Sequence, residues 1–321
     1  MTHLTKTNTK RRRSQHAMKR TVILSLALLA LVGAFGVNHA AMAQEPGVGA
    51  GATFNFGVDA RALAMGGAYV AIADGYSAPY WNPAGLAGTQ GTRIGGMNTN
   101  KFGQGIQYNY VGATTRLAGF PVGGAFVGSS ISGIETFGPG GESTGTVSDN
   151  EFLFVGSTAF PLPLDGFQVS IGGSAKYYSH SLAGESGTGF GGDAGIHVDA
   201  GNFAFGASAT DLGGTSISWS TDAVDEVDMG IRAGGALDLQ FPIPWTLSGQ
   251  FDVNAETLRV GAEFRLTEQI SLRAGAKQPG GEDFQFSAGA GLALGAFGVD
   301  AAFVQNPTLG NSLVVSGQFA F

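Results

Sequence analysis

The chain of 321 residues contains no cysteine, which excludes disulfide staples, thiolate metal centres and cysteine nucleophiles. Charge is scarce too: Asp, Glu, Lys and Arg make up 13% of residues, against about 25% in an ordinary soluble domain. Beyond residue 43 only two histidines remain, His180 and His197, and they leave little material for acid–base chemistry. Over the same stretch ten Lys+Arg face 24 Asp+Glu, a net of −14, a sign that disfavours a nucleic-acid partner. No apolar run after Ala43 is long enough for a membrane helix.

What is present begins with a leader. Lys10, Arg11, Arg12, Arg13, Lys19 and Arg20 precede the apolar run "TVILSLALLALVGAFGV", and Ala41-Met42-Ala43 follows. That order predicts a secretory signal peptide over residues 1–43, cleaved before Gln44. A start at Met18 gives a signal of more ordinary length.

Period-two alternation then recurs along the chain. "LRVGAEFRL" sets Leu258, Val260, Ala262, Phe264 and Leu266 against Arg259, Glu263 and Arg265, and "FQFSAGAGLAL" sets Phe284 and Phe286 against Gln285 and Ser287. About fourteen such segments occur, each near the length of a tilted membrane strand. They begin near Thr92, Gly105, Pro121, Glu151, Phe167, Gly187, Asn202, Asp228, Trp245, Thr257, Ile270, Phe284, Phe297 and Ser312. Tight turns such as "LAGFP" and "DAGN" alternate with longer loops, of which "ETFGPGGESTGTVSDN" and "DLGGTSISWSTDAVDEVD" are the longest. With no helix to span lipid, a closed antiparallel transmembrane β-barrel over residues 91–321 is the fold that satisfies every backbone group. The last segment, "NSLVVSGQFAF", alternates to its end, and Phe319 and Phe321 there fit the C-terminal signal read by barrel-assembly machinery. The expected location is the outer membrane, with outer-membrane lipid around the apolar face.

If that face meets lipid, the opposite face points inward. Arg232, Asp238, Asp252, Arg259, Glu263, Arg265, Arg273, Lys277 and Asp300 are the expected lumen-facing charges, of both signs and able to pair between strands. Residues 44–90 precede the first strand and are too apolar for water (Leu63, Met65, Tyr69, Val70, Ile72). A lumen of about fourteen strands is too wide for wall side chains to fill. The segment is therefore expected inside, as an N-terminal plug. "ARALAMGGAYVAIADG" is read as a short helix ended by Asp74-Gly75. Asn82, Pro83, Ala84 and Gly85 are read as a tight bend against the wall, anchored by Tyr80 and Trp81. The 54 glycines would allow close approach of wall and plug backbones.

"ARALAMGGAYVAIADGYSAPYWNPAGLA", together with the distal stretch "ETLRVGAEFRLTEQISLRAGAKQPGGEDFQFSAGAGLALGAFGVDAAFVQN", resembles the PorV/PorQ-type outer-membrane proteins within the wider FadL-like barrels. The resemblance implies a fourteen-stranded barrel with an N-terminal hatch and a non-enzymatic role. One branch of that family implies binding and shuttling of cargo for a type IX secretion system. The other implies a channel for uptake of hydrophobic small molecules. The implied partners are accordingly secretion components or a hydrophobic ligand, with no cofactor and no resident metal. Other classes are weaker. Ser179 or Ser181 beside His180 lacks a nucleophile elbow, and His197 with Asp193 and Asp199 fits solvated wall as well as a metal. An open porin would need "ETFGPGGESTGTVSDN" as a constriction loop and no plug.

Overall fold

The computed structural model describes residues 50–164, 167–240 and 243–321, so the leader expected at residues 1–43 lies outside the described residues. Strands β1 (Arg93–Lys101), β2 (Ile106–Leu117), β3 (Phe120–Phe137), β4 (Ser143–Leu164), β5 (Phe167–Leu182), β6 (Glu185–Asp199) and β7 (Phe203–Thr210) run up and down in sequence. A small hairpin follows, β8 (Thr215–Trp219) and β9 (Val224–Val227). Then come β10 (Gly230–Leu239), β11 (Trp245–Asp252), β12 (Thr257–Arg265), β13 (Ile270–Gln278), β14 (Gln285–Leu294), β15 (Phe297–Val304) and β16 (Ser312–Ala320).

All neighbouring strands pair antiparallel, β7 pairs directly with β10, and β1 meets β16 from Arg93↔Ala320 to Thr99↔Val314. The β5–β6 pairing completes the ring, giving a closed barrel of fourteen strands with the β8–β9 hairpin attached to β6. Closure leaves the fourteen-strand ring without an open edge, the condition for a sheet to sit in hydrocarbon. No helix of the described residues is long and apolar enough to cross a membrane.

The alternation is inverted relative to a water-soluble protein. Gln250, Asp252, Glu263, Arg273, Ser287, Asp300 and Ser316 are buried, while Val260, Leu272, Phe286, Phe303, Leu313 and Val315 are exposed. Exposed apolar and buried polar side chains on one strand are what a lipid-facing barrel requires. Aromatic rings concentrate near both ends of the outer face. Phe126 lies 5.1 Å from Phe154, Phe154 is 6.1 Å from Tyr177, and Tyr177 is 5.1 Å from Phe190. Toward the opposite rim Phe120 meets Phe160 at 6.1 Å and Trp245 stacks on Phe264 at 5.6 Å. Such girdles bracket the apolar band of a membrane barrel.

Two of the sequence expectations need correction. The segment 135–150 is no long loop: β3 and β4 extend to a tight turn at 138–142, with a bulge between Ile131 and Ile134. β4 therefore begins at Ser143 and not near Glu151, and β3 to β6, at 15 to 22 residues, exceed the expected membrane-strand length. Its Gly and Thr residues had signalled turn chemistry, but cross-strand pairing overrides that local preference. The segment 211–228 likewise contains the β8–β9 hairpin. Its alternation was too short to stand out.

Candidate functional site

Residues 50–90 fill the barrel and contact the wall around its whole circumference. A 3-10 turn at Ala52–Phe56 lies at the long-loop end. There Phe54 packs on Tyr178 (5.9 Å) and Phe56 on Tyr108 (5.4 Å). The Asp59 carboxylate caps the helix Ala60–Ala64 by accepting from the Arg61 amide at 3.0 Å, and it also accepts from the hydroxyls of Ser77 (3.1 Å) and Ser316 (3.2 Å). Burial, with Asp300 nearby, raises this carboxyl above its usual range.

The expected longer helix is cut short. It ends at Ala64, and Gly66 and Gly67 take positive φ angles of 67° and 74° that turn the chain, a conformation that glycine adopts without steric cost. Asp74-Gly75 instead opens a 3-10 turn, Gly75–Ser77, which runs into a single helical turn, Ala78–Trp81.

The Asn-Pro-Ala-Gly element is not a simple bend. Asn82 caps a 3-10 helix, Pro83–Gly88, its Oδ1 accepting from the Ala84 amide at 3.1 Å. Its Nδ2 donates to Val70 O within the plug (2.9 Å) and to Ile196 O on β6 (3.0 Å), so one side chain ties plug to wall. Pro83 supplies the fixed φ favoured at a helix start. Gly85 is required because a Cβ there would collide with Ala73 O. Trp81 is buried and donates from Nε1 to Val58 O at 3.0 Å, and the Tyr80 hydroxyl donates to Phe54 O.

The wall receives this segment on glycines. A Cβ at Gly261 would stand 2.5 Å from Met65 O, one at Gly289 2.6 Å from the Ala64 Cβ, one at Gly95 2.6 Å from the Tyr76 ring and one at Gly123 2.7 Å from Pro79. Gly172, Gly206 and Gly275 face the backbones of Ala84, Val70 and Gly66 in the same way. On these strands plug and wall meet main chain to main chain.

The charges complete the fit. Arg61 of the plug forks onto Glu263 (2.8 and 3.1 Å), which also takes Arg273 Nε at 2.6 Å, and Arg273 reaches Asp300 at 2.6 Å. Arg61 further meets Asp74 at 3.1 Å and the Tyr69 hydroxyl at 3.0 Å. Arg259 pairs with Asp252 at 2.7 Å and donates to Gly66 O at 3.3 Å. Arg232 lies 5.9 Å from both the Tyr80 and the Trp81 ring centroids, a cation–π arrangement. Asp238 accepts from Thr246 on the neighbouring strand. Arg265 shares the strand face of Glu263 and is exposed at the end of β12. Phe319 and Phe321 are exposed with rings 4.8 Å apart, and the Phe321 amide donates to Thr92 O at 2.8 Å.

Other contacts had no readable signal. Gln250 Oε1 accepts from the amides of Tyr69 (3.1 Å) and Val70 (2.9 Å), groups that are 181 and 180 positions away. Lys176 bonds Asp211 at 2.8 Å and Asp193 at 3.1 Å, and the Tyr178 and Thr215 hydroxyls also donate to Asp211 (2.8 and 3.0 Å). This buried knot holds the root of the β8–β9 hairpin to the wall. Asp193 is thereby engaged, and His197 Nε2 lies 2.9 Å from Ala71 O, so His197, Asp193 and Asp199 do not assemble as ligands. His180 pairs with Asp149 at 2.7 Å, and not with Ser179 or Ser181.

With the plug seated, a cavity of about 20 Å³ remains beside it, lined by Phe56, Leu63, Arg259, Lys277, Gln285 and Ser287 among others. It has room for about one water. Gln285 Oε1 is buried there without a partner, and among the described residues no carboxylate lies within 4.0 Å of Lys277.

Solved structures share this architecture. The fold neighbours are FadL-like outer-membrane channels. The P. putida toluene transporter TodX superposes with a TM-score of 0.57 at 14% identity, covering 83% of this chain and 99% of that one. The Ralstonia pickettii toluene transporter TbuX gives 0.55 at 14%, covering 83% and 98%. A Pseudomonas aeruginosa FadL homologue gives 0.51 at 13%, covering 82% and 97%. At these identities the likeness is one of fold. No protein-family model and no curated relative matches the sequence. These neighbours are transport channels and not enzymes, and none is a secretion-system barrel, so the PorV/PorQ expectation stands on the quoted residues alone.

Proposed function

We propose that the protein is an outer-membrane channel for hydrophobic small molecules, closed at rest by residues 50–90. The observation that carries this reading is the seating of the plug. Its segments rest on wall glycines, and the cavity beside it is small and partly apolar, which favours a lumen closed to water and small polar solutes. That arrangement argues against a general porin, which needs an open aqueous lumen. The toluene transporters of the same fold support the solute class. Beside the plug, Phe56 and Leu63 offer an apolar lining while Arg259 and Lys277 add positive charge.

Cells making the protein should accumulate a labelled hydrophobic solute such as toluene or a fatty acid faster than cells lacking it, with unchanged uptake of a small sugar. Equal hydrophobic uptake in the two strains refutes the reading.

A further inference from the structure

Three side chains at the long-loop mouth take no part in seating the plug backbone on its glycines. Asp149 and Glu151 stand two residues apart on one face of β4, and His180 lies directly across from Glu151 on β5. One donor atom from each residue falls within 4.8 Å of the other two. All three are half-buried. Two carboxylates held this close and partly out of water repel each other unless a cation faces them. His180 faces Asp149 at 2.7 Å, and the nearby lysine acts on the pair only from beyond ion-pair distance. The Lys101 ammonium donates to Thr53 O at 3.2 Å and lies over the rings of Tyr108 (5.1 Å), Phe56 (5.3 Å) and Phe102 (5.5 Å). Among the described residues no carboxylate lies within ion-pair distance of it.

We propose that Asp149, Glu151 and His180 form a binding site for a divalent transition-metal ion of the zinc class. The donors are a carboxylate oxygen from each acid and Nε2 of His180, which coordinates as neutral imidazole with its proton on Nδ1. An imidazole in the set selects against calcium and magnesium, which take oxygen ligands. Three protein donors leave the remaining position to water. The surroundings hold the donors in place. The Thr53 hydroxyl donates to Glu151 at 2.5 Å, and the Trp219 ring packs on the His180 ring at 4.8 Å. Thr53 belongs to the plug, Trp219 to the β8–β9 hairpin, and the donors to the barrel wall. The ion itself would join the wall strands β4 and β5 at the point where plug and hairpin meet them. The site stands independently of what the channel conducts.

The test uses untagged, metal-stripped full barrel in detergent, dialysed against zinc chloride at micromolar concentrations. One zinc per chain is expected. Glu151→Gln, which keeps the side-chain shape, and His180→Ala should each weaken binding about tenfold or more, with heat-modifiable migration confirming a folded barrel. His197→Ala should keep the zinc, and calcium should not displace it. Absence of stoichiometric zinc, parental affinity in both site variants, or displacement by calcium at comparable concentration overturns the proposal.

Discussion

Adding a single methyl group at Gly261 tests the seating of the plug. Gly261 faces inward on β12, and a Cβ there would stand 2.5 Å from Met65 O and 2.7 Å from Met65 Cβ. Ordinary contact begins at 3.4 Å, so the Met65 backbone must retreat by about 0.9 Å (3.4 less 2.5). Met65 is fully buried and has nowhere to yield. Its retreat strains the flanking bonds Gly66 N to Ser287 Oγ (3.1 Å) and Ser287 Oγ to Ala64 O (3.0 Å). Overpacking costs about 1–3 kcal/mol, and two weakened hydrogen bonds cost about 0.5–1.5 kcal/mol each. A total of about 2–6 kcal/mol would shift plug docking by about 30-fold to 10⁴-fold. Gly249, one strand away on β11, is the control, because a Cβ there meets nothing within 4 Å. Planar-bilayer conductance of Gly261→Ala should rise above the parent while Gly249→Ala stays silent, with both barrels heat-modifiable. If the two variants behave alike, the seating argument is wrong.

Replacing Arg61 with Met removes the plug's fork onto Glu263 and leaves that carboxylate with Arg273 alone; conductance should rise without loss of the barrel. Trp81→Ala should cost about 3–5 kcal/mol of plug packing and raise sensitivity to bulky antibiotics, and a variant as tight as the parent would place the anchor elsewhere. Asp59 has a docked pKa raised above its free value, so docking gains stability as pH falls through the docked value and loses it above; leak should decline on acidification, and Asp59→Asn should flatten that dependence. Deleting Phe321 should lower the amount of assembled barrel in the membrane, and normal levels of heat-modifiable protein would count against an assembly role.

The alternation made most of the barrel legible. Strand starts near Phe167, Trp245, Thr257, Ile270, Phe297 and Ser312 coincide with β5, β11, β12, β13, β15 and β16, because each strand has one lipid face and one lumen face. Alternation failed where the strands extend past the lipid-facing band. Beyond the rim, β3 and β4 pair only with each other or with β5, and the "ETFGPGGESTGTVSDN" stretch carries no apolar face to reveal them. For the plug, apolar content without a strand of its own implied burial, but not its path. Asn82 was visible as a turn former, whereas its bond to Ile196 spans 114 positions. The glycines were visible only as an excess. Which of them face the plug depends on register, and a composition does not carry register.

The ring has its seam between β1 and β16, and this has a consequence for timing. The segment around Asp59, which precedes every strand of the ring, is bonded to Ser316 on the last of those strands, across 257 positions. Contacts of such separation form slowly, since a long loop must close before they reward it. Until the final strand arrives, the Asp59 carboxylate and the Ala60 amide lack the Ser316 hydroxyl they bond in the finished molecule. The strand that closes the cylinder thus also completes the hydrogen bonds of Asp59 and Ala60.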